Sequence, residues 1–397
     1  MNKLIYFILF SCFSFSVAGQ SPSQYYQASI DTVVKSKFLN ENKNITVILP
    51  KSFSKSKATK FPLIIVFDRQ NKKIFRQVYE SINYLVSFSE MPECVIVGVT
   101  TDDNKRTLET LLSASSKNGY GEKNGNFIFD ELIPFVKKEY NVNDCKVLIG
   151  HSRYGYLTSY LLSKYLSDLT AVISCSPFFL EPNVNLVDSL KSKLLKEPLK
   201  HPFYYRIIYG DTATETNQLA VMKNFLNEVN LIQYFNWKDL AFPKANHMAV
   251  PGLGVMPSLL DIFDFWSNES KKVLSDEKEI DFNKTEYASF LQKMATHYGD
   301  KIGLGLNDLN GIGYKYYRDK KYSEARKTWN ILLEEFPTFS YAYLSIGKSY
   351  LKENDKQNAV KFFEKAKQSL VNNSFYTATE KEEILQEIEE LNKNEQQ

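Results

Sequence analysis

The stretch Val147-Leu148-Ile149-Gly150-His151-Ser152-Arg153-Tyr154-Gly155 constrains this chain more than any other part of it. Lys146 to Ile149 is a strand-type apolar run, and Tyr156 to Tyr165 continues as a helix. Only a sharp turn fits between them. Such a turn holds Ser152 on strained backbone and lifts its hydroxyl above the sheet edge. Gly150 leaves the strand side of the turn without a side chain. The helix N-terminus that follows presents backbone N–H groups and the positive end of a dipole. The alternative is a serine that only caps the helix.

The flanking sequence supplies the sheet. Ile45 to Leu49 (ended by Pro50), Pro62 to Phe67, Cys94 to Val99, Ala171 to Cys175, Tyr205 to Tyr209 and Leu231 to Trp237 are strand-type runs. Pro62 to Phe67 is apolar throughout, as expected of a strand buried on both faces. Helical patterns alternate with them, including Phe127 to Tyr140 despite Pro134, and a closing helix from Pro257 to Trp266. This alternation predicts an α/β domain over residues 20–267 with a mainly parallel sheet. Right-handed crossovers then gather the loops after the strands along one edge. Loops near 69–82, 101–126 and 177–200 are expected to wall a cleft there.

A serine nucleophile needs a base. The chain has four histidines, at 151, 201, 247 and 297. His151 sits inside the turn, His201 precedes Pro202 ahead of a strand, and His297 lies beyond the α/β segment. His247 follows the last strand and precedes the closing helix, so it is the expected base. The acid that orients it is expected at the end of Tyr205 to Tyr209, as Asp211 or as Glu215. The Arg153 backbone N–H is the natural first oxyanion donor. The Arg69 backbone, in Phe67-Asp68-Arg69-Gln70, is the expected second, although Asp68 and Arg69 would equally form a structural ion pair.

Taken together these pieces resemble the esterase family that includes feruloyl esterases, enterochelin-type siderophore esterases, S-formylglutathione hydrolase and mycolyltransferases. The resemblance covers roughly residues 40–267. It rests on Val47-Ile48-Leu49-Pro50, Phe61 to Asp68, Val95-Ile96-Val97-Gly98-Val99, Asn104-Lys105-Arg106, Glu131-Leu132-Ile133-Pro134, Gly150-His151-Ser152, Ser174-Cys175-Ser176-Pro177 and His247. It implies an α/β-hydrolase fold and hydrolysis of carboxylic esters through an acyl-enzyme, with no cofactor or metal. The resemblance does not fix the substrate; small-molecule, polysaccharide or siderophore esters are expected, the last two favoured by the exported location read below. The chain departs from the usual G-x-S-x-G at Tyr154, with Gly155 one residue late. A tyrosine there must point away from the neighbouring strand, or the turn must open. A catalytically weak or inactive binding protein of the same fold is the alternative.

The ends of the chain carry other signals. Lys3, the apolar run Leu4 to Phe15 and the small residues Val17-Ala18-Gly19 read as a signal peptide over 1–19, hence an exported protein. Cys12 offers a lipid anchor as the lesser alternative. No later run is long enough to span a bilayer. A net charge of +3 gives no support for nucleic-acid binding. Cys94, Cys145 and Cys175 are odd in number, lie in apolar runs and read as buried thiols.

Residues 268–285 are charged and read as a linker. In the helical segment 286–397, Gly313, Tyr316, Ala325 and Trp329 recur as Gly347, Tyr350, Ala359 and Phe363, each 34 residues on, with Pro337 closing the first unit. That period resembles the tetratricopeptide repeat, so an all-α domain of that kind is expected. It would either dock a partner protein or pack on the α/β domain and cover its cleft.

Overall fold

The computed structural model describes residues 25–394 apart from 28, 55–58, 180, 211–212, 230–231, 275–281, 372 and 374. The leader with Cys12, and Asp211, therefore lie outside the described residues. Eight strands form one sheet: β1 (Ile30–Ser36), β2 (Glu41–Ile48), β3 (Phe61–Val66), β4 (Val95–Val99), β5 (Val142–His151), β6 (Ala171–Cys175), β7 (Phe203–Gly210) and β8 (Phe235–Phe242). Their order is β1-β2-β4-β3-β5-β6-β7-β8. The pairs β1–β2 and β2–β4 are antiparallel, and all other neighbours are parallel.

The helices that join the strands are α1 (Lys72–Ser87), α2 (Arg106–Thr110), α3 (Gly121–Asn126), α4 (Ile133–Tyr140), α5 (Arg153–Tyr165), α6 (Leu186–Lys196), α7 (Ala213–Glu228) and α8 (Val250–Leu274). The chain leaves β3 for β4 on one side, then crosses back to β5 on the other. Reversal of strand order opens a crevice at the carboxyl ends of β3 and β5.

Most of the expected elements are present, with informative exceptions. Residues 69–82 were expected to be cleft loop, but α1 takes them up from Lys72, its N-terminus capped by Asn71. The last strand starts at Phe235 rather than Leu231. Pro134 is tolerated because Phe127–Leu132 forms a wider π turn and the proline falls in the first turn of α4, where no intrahelical N–H bond is required. The closing helix runs from Val250 to Leu274 with Pro257 inside it, so the linker is shorter than 268–285.

The tail continues with α9 (Lys284–Tyr298), α10 (Leu306–Arg318), α11 (Tyr322–Glu335), α12 (Ser340–Lys352), α13 (Lys356–Leu370) and α14 (Ala378–Asn394). Helices α12 and α13 begin 34 residues after α10 and α11, as the sequence offset requires. The small residues sit where helices touch. A Cβ on Gly313 would lie 2.3 Å from the Trp329 indole nitrogen, and one on Gly347 would lie 2.4 Å from the Phe363 ring.

Among the described residues the tail does not line the cavity at Ser152. It shares one apolar core with α1 and α8, on a single face of the sheet, running from Ile64 through Trp266 and Tyr298 to Phe363 and Ile388. Its polar anchors meet the amino ends of the strands, opposite Ser152. Asn143 donates to the Lys301 carbonyl at 3.1 Å, the Asp144 N–H to Asp300 at 3.0 Å, and Thr59 to the Glu335 carbonyl at 2.8 Å. At the start of β7, Tyr204 meets His297 Nε2 at 2.7 Å, and the ring of His297 stacks on Phe265. The other face of the sheet packs a separate core with α5 and α6.

Burial, with His201 nearby, holds the His297 imidazole down at about 4 from an ordinary 6.5. Between those values the unfolded chain takes up a proton that the folded chain refuses. This contribution to stability is complete above pH 6.5 and is lost as the pH falls towards 4. Thermal unfolding across that window is expected to show a falling midpoint, and His297→Asn is expected to flatten that part of the profile.

Candidate active site

Ser152 sits where β5 gives way to α5. Its backbone has φ 60° and ψ −118°, a conformation that costs a side-chain-bearing residue about 1–3 kcal/mol and persists only when its surroundings impose it. Those surroundings are visible. The Ser152 N–H donates to the Cys175 carbonyl on β6 at 2.8 Å, and the Ser152 carbonyl accepts from the Tyr156 N–H at 3.0 Å. At Gly150 a Cβ would lie 2.3 Å from the Tyr154 carbonyl oxygen, so the turn closes only over glycine.

Tyr154 does not open the turn. Its ring is fully buried among the residues of the α5 face, stacked on Phe67 at 4.9 Å. Gly155, one residue later, makes the close approach to the next strand. A Cβ there would lie 2.9 Å from the Cys175 carbonyl oxygen and 3.1 Å from Pro177. Burial first, and then Glu109, pushes the Tyr154 phenol well above its ordinary range, so it is a neutral donor.

Ser152 and His247 open onto one cavity of about 460 Å³, shared with Asp68, Gln70, Asn71, Asp103, Arg106, His151 and Met248. The Ser152 hydroxyl makes no hydrogen bond among the described residues; pairs of this kind tighten when substrate binds. His247 lies in the loop between β8 and α8. Asn246 holds that loop by accepting from the Met248 and Ala249 N–H groups at 3.1 and 3.0 Å. His151 Nε2 lies 2.9 Å from the His247 carbonyl, and the two rings are 4.6 Å apart. A carbonyl only accepts, so His151 carries its proton on Nε2 and ties the turn to the His247 loop.

Gly210 ends β7 against the same loop, where a Cβ would lie 2.3 Å from the Ala245 carbonyl oxygen. Gly210→Ala is therefore expected to displace His247 and lower kcat for a simple ester by about tenfold to a hundredfold. An unchanged kcat would show that this approach does not position His247.

The first-turn N–H groups of α5, Arg153 included, have no intrahelical acceptor and face the elbow. The Arg153 side chain is held away by Glu181 at 3.0 Å. The Arg69 expectation is corrected. Its N–H donates to the Val99 carbonyl at 3.0 Å, extending the ladder beyond β3, and is spent there. Nor does Arg69 pair with Asp68: its guanidinium lies over the Phe75 ring at 4.9 Å. Asp68, at φ 58°, is gripped instead by Arg106, whose Nε and Nη2 donate to it at 2.9 and 2.6 Å. Of the two expected acids, Asp211 is outside the described residues. Glu215 lies on α7, but its side chain is outside them too.

Sequence reasoning missed His151 as a tether, Arg106 as the partner of Asp68, and the buried pair of Lys43 with Glu109 at 2.8 Å. Arg106 had a signal, as part of the resembling segment Asn104-Lys105-Arg106; the others had none. Among the described residues no group of three His, Cys, Asp or Glu side chains could hold a metal. In the same residues no helix is long and apolar enough to cross a membrane. The three thiols are buried, and burial pushes Cys94 and Cys145 up to about 12.

The family model described as Putative esterase matches residues 36–240, more than half of the chain and the whole sheet from the end of β1 into β8. The chain belongs to this esterase family. An IroE-like serine hydrolase from Shewanella oneidensis is 14% identical, with 77% of this chain and 99% of that one covered and a TM-score of 0.61. An uncharacterised protein from Capnocytophaga ochracea is 16% identical, with 92% and 99% covered and a TM-score of 0.56. The siderophore hydrolase EstB from Aspergillus nidulans is 15% identical, with 60% and 96% covered and a TM-score of 0.52. At such identities the likeness is one of fold. No curated protein matches. The esterase-family match ends before His247.

Proposed function

We propose that this esterase-family chain cleaves carboxylic esters with Ser152 as nucleophile and His247 as base. The observation that carries the proposal is the strained φ 60° backbone at Ser152, at the mouth of a cavity that His247 also lines. His247 takes the hydroxyl proton as Ser152 attacks the ester carbonyl. The tetrahedral oxyanion lies against the Arg153 N–H and a second N–H from the loop after β3. Gln70 supplies that second donor, since the Arg69 N–H is occupied. His247 then protonates the departing alcohol, and water releases the acyl group from Ser152 in a second step. Asp211 or Glu215 orients the imidazole.

Met248 is the one apolar side chain among the cavity residues named above. This supports small or hydroxyl-rich esters over long-chain lipids, whose acyl chains would gain little burial there. The leader-like residues 1–19 support export, with lipid attachment at Cys12 the lesser reading. The 34-residue offset and the helix pairing support a tetratricopeptide-like tail. Because that tail meets the sheet at the end remote from Ser152, it fits partner docking better than cleft closure.

The test is rapid-quench mass spectrometry of the full chain with p-nitrophenyl acetate. One acetyl group on the Ser152 peptide, appearing and decaying with turnover, is expected. Turnover with no acetyl-protein, or with acetyl elsewhere, would contradict the mechanism.

A further inference from the structure

We propose that α2 is a positioning element for the nucleophile, with Arg106 and Glu109 holding the chain on either side of Ser152, and that the Tyr154 phenol is part of this grip. The proposal rests on the reading of Ser152 as nucleophile. Arg106 and Glu109 are one turn apart on α2. Arg106, anchored on Asp68, donates from Nη2 to the carbonyl of His151 at 3.2 Å. Glu109 accepts from the Tyr154 hydroxyl at 2.8 Å. The two grips thus fall one residue before the nucleophile and two residues after it.

The second grip is built from charged groups in a fully buried place. Glu109 has no exposed surface, and Lys43 is only 3% exposed. Lys43 Nζ donates to both carboxylate oxygens at 2.8 and 2.9 Å. Thr101 Oγ1 lies 2.6 Å from the Tyr154 oxygen. The phenol gives its single proton to the carboxylate, so the Thr101 hydroxyl is the donor between them. Asn124 donates to the Glu109 backbone carbonyl at 3.0 Å and fixes α2 itself.

Burying an ion pair costs more than packing apolar groups in the same volume. The hydrogen bonds of this network offer geometric definition in return. Here the definition falls on the strained turn that carries Ser152. The usual glycine at position 154 supplies only close packing, and Gly155 supplies that in this chain. Position 154 is left to carry a hydroxyl that pins the turn to α2. Neither Tyr154 nor Glu109 reaches the cavity, so both act through the placement of Ser152.

The experiment compares the full-length wild type with Tyr154→Phe, which keeps the stacked ring and removes the hydroxyl. Tyr205→Phe is the control: its hydroxyl is equally buried and lies 2.7 Å from Ser159 Oγ, with no hydrogen bond to Tyr154, Glu109 or Arg106 among the described residues. Four quantities are read: kcat and KM for p-nitrophenyl acetate, the rate of inactivation by a fluorophosphonate, and the thermal midpoint. Tyr154→Phe is expected to lower kcat and the inactivation rate in parallel, by about tenfold or more, with KM within about twofold. Tyr205→Phe is expected to lower the midpoint comparably and to leave both rates at wild type.

Wild-type rates in Tyr154→Phe, or an equal fall in Tyr205→Phe, would overturn the proposal while leaving Ser152 as nucleophile. A wild-type chain that never reacts with the fluorophosphonate would overturn both. Should Tyr154→Phe fail to fold, Arg106→Lys serves instead. It keeps a cation beside Asp68 and shortens the reach to the His151 carbonyl. The same parallel fall in kcat and inactivation rate is expected, and wild-type rates would refute the grip.

Discussion

Ser152→Ala is expected to abolish ester hydrolysis, lowering kcat/KM for p-nitrophenyl acetate by at least about 10⁴-fold, while the protein folds as before. The two halves of this expectation have separate causes. Activity falls because, among the described residues, no other hydroxyl lines the cavity that Ser152 and His247 share. Stability holds because the Ser152 hydroxyl makes no hydrogen bond among the described residues. Alanine also keeps the backbone bonds from Ser152 N–H to Cys175 and from Tyr156 N–H to the carbonyl of residue 152. The thermal midpoint is therefore expected within about 1–2 °C of wild type, as for a substitution worth less than about 0.5 kcal/mol. His247→Ala is expected to lose nearly as much activity, and the double variant little more than either alone, because nucleophile and base act as one unit. Residual turnover above one tenth of wild type in Ser152→Ala would place the chemistry elsewhere.

Trp266→Ala is expected to be the most damaging single substitution at the seam between the sheet and the tail. Trp266 is 1% exposed and belongs to the core that α8 shares with the tail helices. Its indole N–H donates to the Gly303 carbonyl at 3.1 Å, and its backbone N–H to the Tyr298 hydroxyl at 3.2 Å. Removing the indole loses its burial, opens a cavity and leaves the Gly303 carbonyl without that donor. Large-to-small changes of this kind cost about 3–5 kcal/mol. Chemical denaturation is expected to show a loss of about 4 kcal/mol. Specific activity of the folded protein at low temperature should stay close to wild type, because the seam lies at the strand ends opposite Ser152. A loss below about 1 kcal/mol would mean that the tail is attached by its polar anchors alone.

Much of this was readable in the chain because it depends on local pattern. Pro62 to Phe67 could only be a central strand, and Gly150-His151-Ser152 between a strand and a helix could only be a sharp turn. The 34-residue offset announced that the helix pairs repeat, since helix pairs of one kind repeat one packing solution. What the sequence hid depends on residues far apart along it. Nothing near Glu109 shows that Lys43 neutralises it, or that Tyr154 lies against it. The role of Arg69 was misread because its N–H looked free at the end of an apolar run, whereas one more ladder bond to Val99 uses it. Residues 69–82 looked like loop because α1 is amphipathic and polar on its outer face. The side on which the tail would dock was also invisible, because apolar residues on α8 and α9 announce burial without naming the partner surface.

The account stands on an activated hydroxyl at position 152, and peptide mapping after treatment with a fluorophosphonate tests it most directly. Wild type is expected to carry a single adduct, on the peptide that holds Ser152. His247→Ala should form that adduct at a rate lower by about a hundredfold or more. A folded wild-type chain that leaves Ser152 unmodified, or one in which loss of the imidazole at 247 does not slow the reaction, would contradict it.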